Sequence, residues 1–180
     1  MGSKKTVVFQ TEWFNIEEQY LDLPTLNGKP FYTINSEDGV VILATTEKGE
    51  IILVKQYRPA HDKVTIELPS GGVDEKETPE QAAKRELYEE TGYQCKDMYL
   101  LGKGKLMINR LSASVFAFYC DEAIKDTTFF AKEDIDVILV KPDDFKTLTI
   151  NDQIEQYSML GLLILADWKI GTRFVTGSFS

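Results

Sequence analysis

Residues 71–93 read GGVDEKETPEQAAKRELYEETGY, and the punctuation of this stretch lays out a glycine turn, a loop and a helix. Thr78 has the side chain of an N-cap, Pro79 suits the first helical position, and Gln81 completes a Thr-x-x-Gln capping box. Gly92 is a natural stop, since glycine enters the left-handed backbone region without a Cβ penalty. Within the helix Glu86, Glu89 and Glu90 stand at i, i+3 and i+4, so the spacing predicts a single carboxylate stripe. The last two fall in the final turn, where the macrodipole disfavours each anion by roughly 0.3–1 kcal/mol. Three like charges on one rigid element call for a cation, and oxygen donors of this kind suit Mg²⁺ or Mn²⁺. A solvated acidic helix is the competing reading. Such a face normally interleaves Lys with Glu as i,i+4 pairs and does not gather acids at its C-terminal end.

The same stretch resembles the box of the Nudix hydrolases at its fixed places: Gly71, Glu77, Arg85-Glu86-Leu87, Glu89-Glu90 and Gly92, with Tyr93 where an aliphatic residue is usual. The resemblance implies an α/β/α sandwich with a mixed β-sheet in which the box forms a loop, a helix and a loop. It also implies that Glu86, Glu89 and Glu90 hold metal together with the backbone carbonyl of Ser70. Arg85 belongs to the same catalytic constellation, paired with Glu77 so as to orient the loop over the helix. The implied activity is hydrolysis of a nucleoside diphosphate linked to another group. That chemistry is consistent with the residues, because a pyrophosphate repels attacking water and divalent cations offset its charge.

Further segments narrow the resemblance. Lys55-Gln56-Tyr57-Arg58-Pro59 before the box, Ile66-Glu67-Leu68-Pro69-Ser70 leading into it, and Ile150-Asn151-Asp152-Gln153-Ile154 near the end resemble the ADP-ribose and nucleoside-diphosphate-sugar pyrophosphatase branch. On that resemblance Arg58 and Glu67 are substrate-side residues; Arg58 reads either as a bidentate grip on phosphate or as a strand-end Arg paired with an acid, and Glu67 either lies near the metals or orients Arg58. Glu133-Asp134-Ile135-Asp136-Val137 resembles the segment that supplies that branch with a further metal ligand and often the general base, which points to Glu133. Ala131 stands where some relatives carry another glutamate, so the base stays open between Glu133 and Glu86. The proline that ADP-ribose enzymes carry downstream of the box is absent from Lys105-Leu106-Met107-Ile108-Asn109-Arg110. That departure shifts the expected substrate toward a GDP-hexose or ADP-hexose, with Arg110 on phosphate or sugar. Hydrolysis of nucleoside triphosphates or dinucleoside polyphosphates is the alternative activity, and a non-catalytic nucleotide-binding module the alternative class.

Composition sets outer limits. A chain of 180 residues with 43% hydrophobic side chains suffices for one domain with a sizeable core. Its net charge of −9 and pI of about 4.7 argue against a nucleic-acid binder that works by neutralising phosphates. The apolar run 159–166 is too short to span a bilayer and reads as a buried helix, so no membrane is expected. His61, the one histidine, reads as a solvated loop residue. With no secretory signal and only Cys95 and Cys120, in no metal-like spacing, the expected setting is reduced and cytoplasmic.

Periodicity divides the chain into a small N-terminal β appendage, residues 1–38, and a main domain, residues 39–180. In the appendage 6–10, 13–20 and 31–35 read as strands. In the main domain strands are expected at 39–46, 50–57, 63–68, 99–107, 114–120 and 136–141, with a short helical segment after Pro142 and a longer helix over about 151–168. In the branch this chain resembles, such N-terminal strands exchange across a homodimer and lend an aromatic to the substrate base. Trp13, Phe14, Phe31 and Tyr32 are the candidates, Trp13 first, with core or dimer packing as the competing reading for each.

Overall fold

The structure, a computed structural model, describes residues 4–130, 134–156 and 158–174. Its centre is the hydrophobic run of β4 (Gly39–Thr46), which pairs in parallel with β10 (Val115–Lys125) along one edge and is covered on both faces. Such a strand reads as continuously apolar because neither face meets water. Alternation along it separates two cores. Val41 and Leu43 join one, with Leu53 of β5 (Ile51–Arg58) and Leu162, Leu163 and Ala166 of α3 (Ser158–Ile170). Val40, Ile42 and Ala44 join the other, with Ile52 and with Ala82, Ala83 and Leu87 of α1 (Pro79–Thr91). The sheet is therefore sandwiched between helices, as expected.

The main path of the large sheet runs β11-β5-β4-β10-β8, where β11 is Ile135–Val140 and β8 is Tyr93–Gln94. Three further strands join it: β6 (Lys63–Glu67) on β5, β7 (Ser70–Gly72) on β4, and β9 (Tyr99–Gly104) on β10. Parallel β4–β10 pairing among otherwise antiparallel partners makes the sheet mixed.

Several boundaries differ from expectation. The strand at 99–107 stops at Gly104, and Met107 turns back by accepting hydrogen bonds from the Arg110 and Leu111 amides. The helix placed over 151–168 begins only at Ser158, as α3, after a turn in which Asp152 takes φ 55°; α2 (Pro142–Ile150) is the short helical segment expected after Pro142. The brief strands β7 and β8 lack the length to register as periodic patterns.

The N-terminal segment forms its own antiparallel sheet, β1 (Lys5–Gln10), β2 (Phe14–Gln19) and β3 (Phe31–Ser36). It is tied to the main body where the Ile34 amide donates to the Arg110 carbonyl and the Ser112 amide donates to the Ile34 carbonyl, at 2.8 and 2.9 Å. Val7, Val8 and Phe9 remain about half exposed, and Trp13 is 76% exposed.

Cys95 and Cys120, expected as reduced thiols, are joined in a disulfide that tethers the segment after β8 to β10. No helix among the described residues is long and apolar enough to cross a membrane.

Candidate active site

The sequence signals at the start of α1 are realised in full. Thr78 Oγ1 accepts from the Gln81 amide while Gln81 Oε1 accepts from the Thr78 amide, and Gly92 ends the helix at φ 67°. A Cβ at Gly92 would lie 2.4 Å from the Phe129 ring, so packing as well as backbone demands glycine. Lys125 donates to the Thr91 carbonyl at 2.5 Å and places its ammonium 5.1 Å from the Phe129 ring centroid. This supplies the cation that the helix C-terminus favours. No sequence pattern pointed to Lys125, which lies 34 positions beyond Thr91.

Arg85 is the hub of the box. Its guanidinium donates to both Glu77 oxygens at 3.2 and 2.5 Å, to Glu86 Oε1 at 2.7 Å, to Glu89 Oε2 at 3.2 Å and to the Gly72 carbonyl at 2.9 Å. The pairing with Glu77 was expected. The added grip on Glu86 and Glu89 was not, and it partly answers the charge problem of the stripe from within the chain. One guanidinium still faces four carboxylates, counting Glu90 with these three.

Each carboxylate has a distinct environment. Burial pushes the Glu86 carboxyl above its ordinary range; this outweighs the opposing ion pair with Arg85, and repulsion from Glu89 and Glu77 adds to it. Glu77 is held below its ordinary range by its hydrogen bonds to Arg85. Glu90 is buried and accepts from the Ser70 amide at 3.0 Å, which ties β7 to the helix. A Cβ at Gly71 would come 2.1 Å from the Glu86 carboxylate, so the bare glycine is what lets the loop lie against that group.

Upstream, Arg58 and Glu67 form a bidentate pair at 2.8 and 2.7 Å, and Thr65 Oγ1 adds a hydrogen bond to Glu67 at 2.5 Å. The Arg58 hydrogen bonds hold Glu67 below its ordinary carboxylate range, and the Glu90 charge also acts on Arg58. These two residues, Pro59, His61 and Gln156 line a cavity of about 450 Å³. A second cavity of about 360 Å³ lies behind the box loop, bordered by Ser70 and Gly71 and walled by β9, β10 and α3. Gln156 lines both.

Other expected site residues stand apart. Arg110 lays its guanidinium 4.2 Å from the Phe31 ring centroid and donates to the Tyr32 carbonyl, and it lines neither of these cavities. Trp13 borders a shallow depression within the N-terminal sheet. Glu133 and Ala131 lie outside the described residues.

Among the described residues no three acidic, histidine or cysteine side chains converge into a ready-made cation cage, because Glu86 and Glu89 are spread over Arg85. The donor set nonetheless fits a hard cation: the carboxylates share one helix end, the Gly71 cradle keeps Glu86 clear of a side chain, and Glu86 is buried enough to gain from a positive partner.

An α/β/α sandwich carrying this acidic loop and helix defines the class. The NUDIX domain matches residues 36–160, and the chain belongs to that family. It is 33% identical over 94 residues to an ADP-ribose pyrophosphatase of Bacillus subtilis, covering 52% of this chain and 51% of the relative. It is 32% identical over 103 residues to an ADP-sugar pyrophosphatase of Mus musculus, covering 51% and 47%. The chain thus spans about half the length of these curated relatives. A crystal structure of an ADP compounds hydrolase superposes with a TM-score of 0.75 at 18% identity, covering 95% of this chain and 96% of that one, which establishes the shared fold.

Proposed function

We propose that the protein hydrolyses the pyrophosphate bond of a nucleoside diphosphate sugar, such as ADP-ribose, an ADP-hexose or a GDP-hexose, to a nucleoside monophosphate and a sugar phosphate. The observation that carries this reading is the complete box, with Glu86, Glu89 and Glu90 on one anchored helix and Gly71 left bare against Glu86. The ADP-ribose and ADP-sugar pyrophosphatases among its relatives support the substrate class.

Glu86, Glu89 and Glu90, with the Ser70 carbonyl and Glu133, would hold Mg²⁺ or Mn²⁺. When bound, such ions offset the phosphate charge and ease departure of the leaving phosphate. Arg85 braces Glu86 and Glu89 from the loop side, and Glu77 fixes Arg85. Arg58, oriented by Glu67, presents its remaining donors to phosphate. The proton of the attacking water goes to Glu86 or Glu133.

The exposed Val7, Val8 and Phe9 of β1 support a homodimer through residues 1–38, which would carry Trp13 toward a partner's site; Arg110, the residue expected on phosphate or sugar, would stand beside that sheet at Phe31. Acidic net charge speaks against nucleic acid as a partner. A cytoplasmic setting belongs to this proposal, and the Cys95–Cys120 bond is the observation that stands against it.

A panel of nucleoside diphosphate compounds with Mg²⁺, read as phosphate released after phosphatase addition, tests the reading. Turnover on ADP-ribose or a nucleotide sugar is expected. Preference for nucleoside triphosphates would replace it, and saturable binding without turnover would point to a nucleotide-binding module.

A further inference from the structure

The strand β7 hangs on the start of β4 by three registered pairs, Gly39 with Gly72, Val40 with Gly71 and Val41 with Ser70. So short a strand has little ladder to lose, and what holds its two ends decides where the Ser70 carbonyl points. At the Ser70 end the anchor is Glu90, which accepts from the Ser70 amide at 3.0 Å. At the other end it is Asp38. The Asp38 carbonyl accepts from the Val73 amide at 2.8 Å, one step beyond the Gly39–Gly72 pair. Its carboxylate turns to the opposite edge, where Oδ1 accepts from the Ser114 amide at 2.6 Å, one step before the Gly39–Val115 pair that opens the β10 ladder. Asp38 therefore fastens both edges of β4, by backbone toward the box loop and by side chain toward β10.

These bonds are placed where they matter. Ser114 is buried, and a buried amide left without an acceptor costs the full desolvation of its N–H. A carboxylate is the stronger kind of acceptor for it. Lys103 Nζ stands 3.9 Å from Asp38 Oδ2 and offsets its charge, while Lys105 donates to the Ser112 carbonyl and to Ser114 Oγ and holds the same segment. The fit around the loop is close. A Cβ at Gly39 would lie 3.3 Å from the Gly71 carbonyl oxygen, and one at Gly71 would collide with the Glu86 carboxylate at 2.1 Å. The loop thus occupies a slot between β4 and α1 that is one backbone thick.

We propose that Asp38 is a positioning residue for the cation site: by gripping Ser114 through its side chain it fixes the peptide whose carbonyl holds Val73, and so sets the place of the Ser70 carbonyl against Glu86 and Glu90. The inference rests on the hydrolase reading, in which that carbonyl is a metal ligand. It also gives the appendage a bearing on the site. Asp38 follows the end of β3 by two residues, and the Ile34 bonds to Arg110 and Ser112 fasten the appendage to the segment that Asp38 grips.

Mn²⁺ titration calorimetry on the full chain, at a temperature where circular dichroism shows each variant folded, tests this without turnover. Asp38→Ala leaves the Ser114 amide without its acceptor and frees the joint, and Mn²⁺ affinity should fall about tenfold. Asp38→Asn keeps an acceptor and should recover most of the loss. In turnover the half-saturating Mg²⁺ concentration should rise in Asp38→Ala, while KM for the nucleotide at saturating Mg²⁺ stays unchanged, because Arg58 is held by Glu67 and not by this joint. Gly39 has no positive φ, so Gly39→Ala only presses on the Gly71 carbonyl from the β4 side, and it should weaken Mn²⁺ binding about threefold. The proposal is overturned if folded Asp38→Ala binds Mn²⁺ like the wild type, if Asp38→Asn is as weak as Asp38→Ala, or, should Asp38→Ala not fold, if Gly39→Ala binds like the wild type. A wild type that takes up no Mn²⁺ overturns it together with the hydrolase reading. The expected pattern of Mn²⁺ affinities without turnover on any pyrophosphate would sink the hydrolase reading alone.

Discussion

From Gly71 to Gly92 the charged side chains at the heart of the box are tied to partners on the same chain: Arg85 to Glu77, Glu86 and Glu89, and Glu90 to the Ser70 amide. The N-terminal sheet does the opposite, leaving Val7, Val8, Phe9 and Trp13 in water. Charge can be answered locally, because one guanidinium presents five donors in a fixed fork. Apolar area can be answered only by more surface, and three strands with no helix over them have none to offer. The charges of the box are thus met within one chain, while the appendage leaves apolar area uncovered.

Substitutions can break this contrast or sharpen it. The largest effect is expected from Glu90→Gln, which keeps an acceptor for the Ser70 amide but removes a charge from the stripe. Turnover should fall by orders of magnitude with the circular dichroism spectrum unchanged, and near-normal activity would remove Glu90 from the metal assignment. Gly71→Ala comes next. Its methyl would displace the Glu86 carboxylate, and a shift of about 1 Å at a reacting centre can cost about a hundredfold in kcat.

On the other side of the contrast, Phe9→Asp puts a charge on the exposed face of β1. Sedimentation should show dimer affinity weakened on the order of thirtyfold with each chain still folded; a monomeric wild type would show instead that the sheet has some other partner. Arg85→Lys should lower unfolding free energy by about 2 kcal/mol in urea titrations, because an ammonium cannot serve four partners at once. The smallest effect concerns pH. Glu67 is held below the ordinary carboxylate range in the fold, so it binds fewer protons folded than unfolded and stability rises with pH between those two values. The difference in urea midpoint between wild type and Glu67→Gln should therefore be full above the ordinary carboxylate range and vanish as pH falls through the depressed value. A difference that persists at low pH would mean that Glu67 stabilises by packing alone.

How much of this was legible beforehand follows from where each signal resides. The capping box, Pro79 and Gly92 act over one helical turn, so α1 and its stripe could be read residue by residue. The Arg58–Glu67 pair was readable as a choice between phosphate grip and ion pair, and the ion pair is what the two strands present. Lys125 at the end of α1, Cys95 against Cys120, and Asp38 against Ser114 depend on chain crossings that no local pattern encodes. The late start of α3, at Ser158, was hidden because Asn151 and Asp152 are tolerated in helices as well as in turns. Glu133, read from a resemblance, lies outside the described residues.

The helix that carries the stripe is pinned at both ends, by the Thr78–Gln81 exchange at its start and by Gly92 and Lys125 at its finish. The conformational entropy of arranging Glu86, Glu89 and Glu90 is therefore lost when the chain folds, not when a cation arrives. Cation uptake should need only a change of side-chain partner at Arg85, so metal titration should leave the amide exchange of α1 almost unaltered while changing the environment of the Arg85 guanidinium.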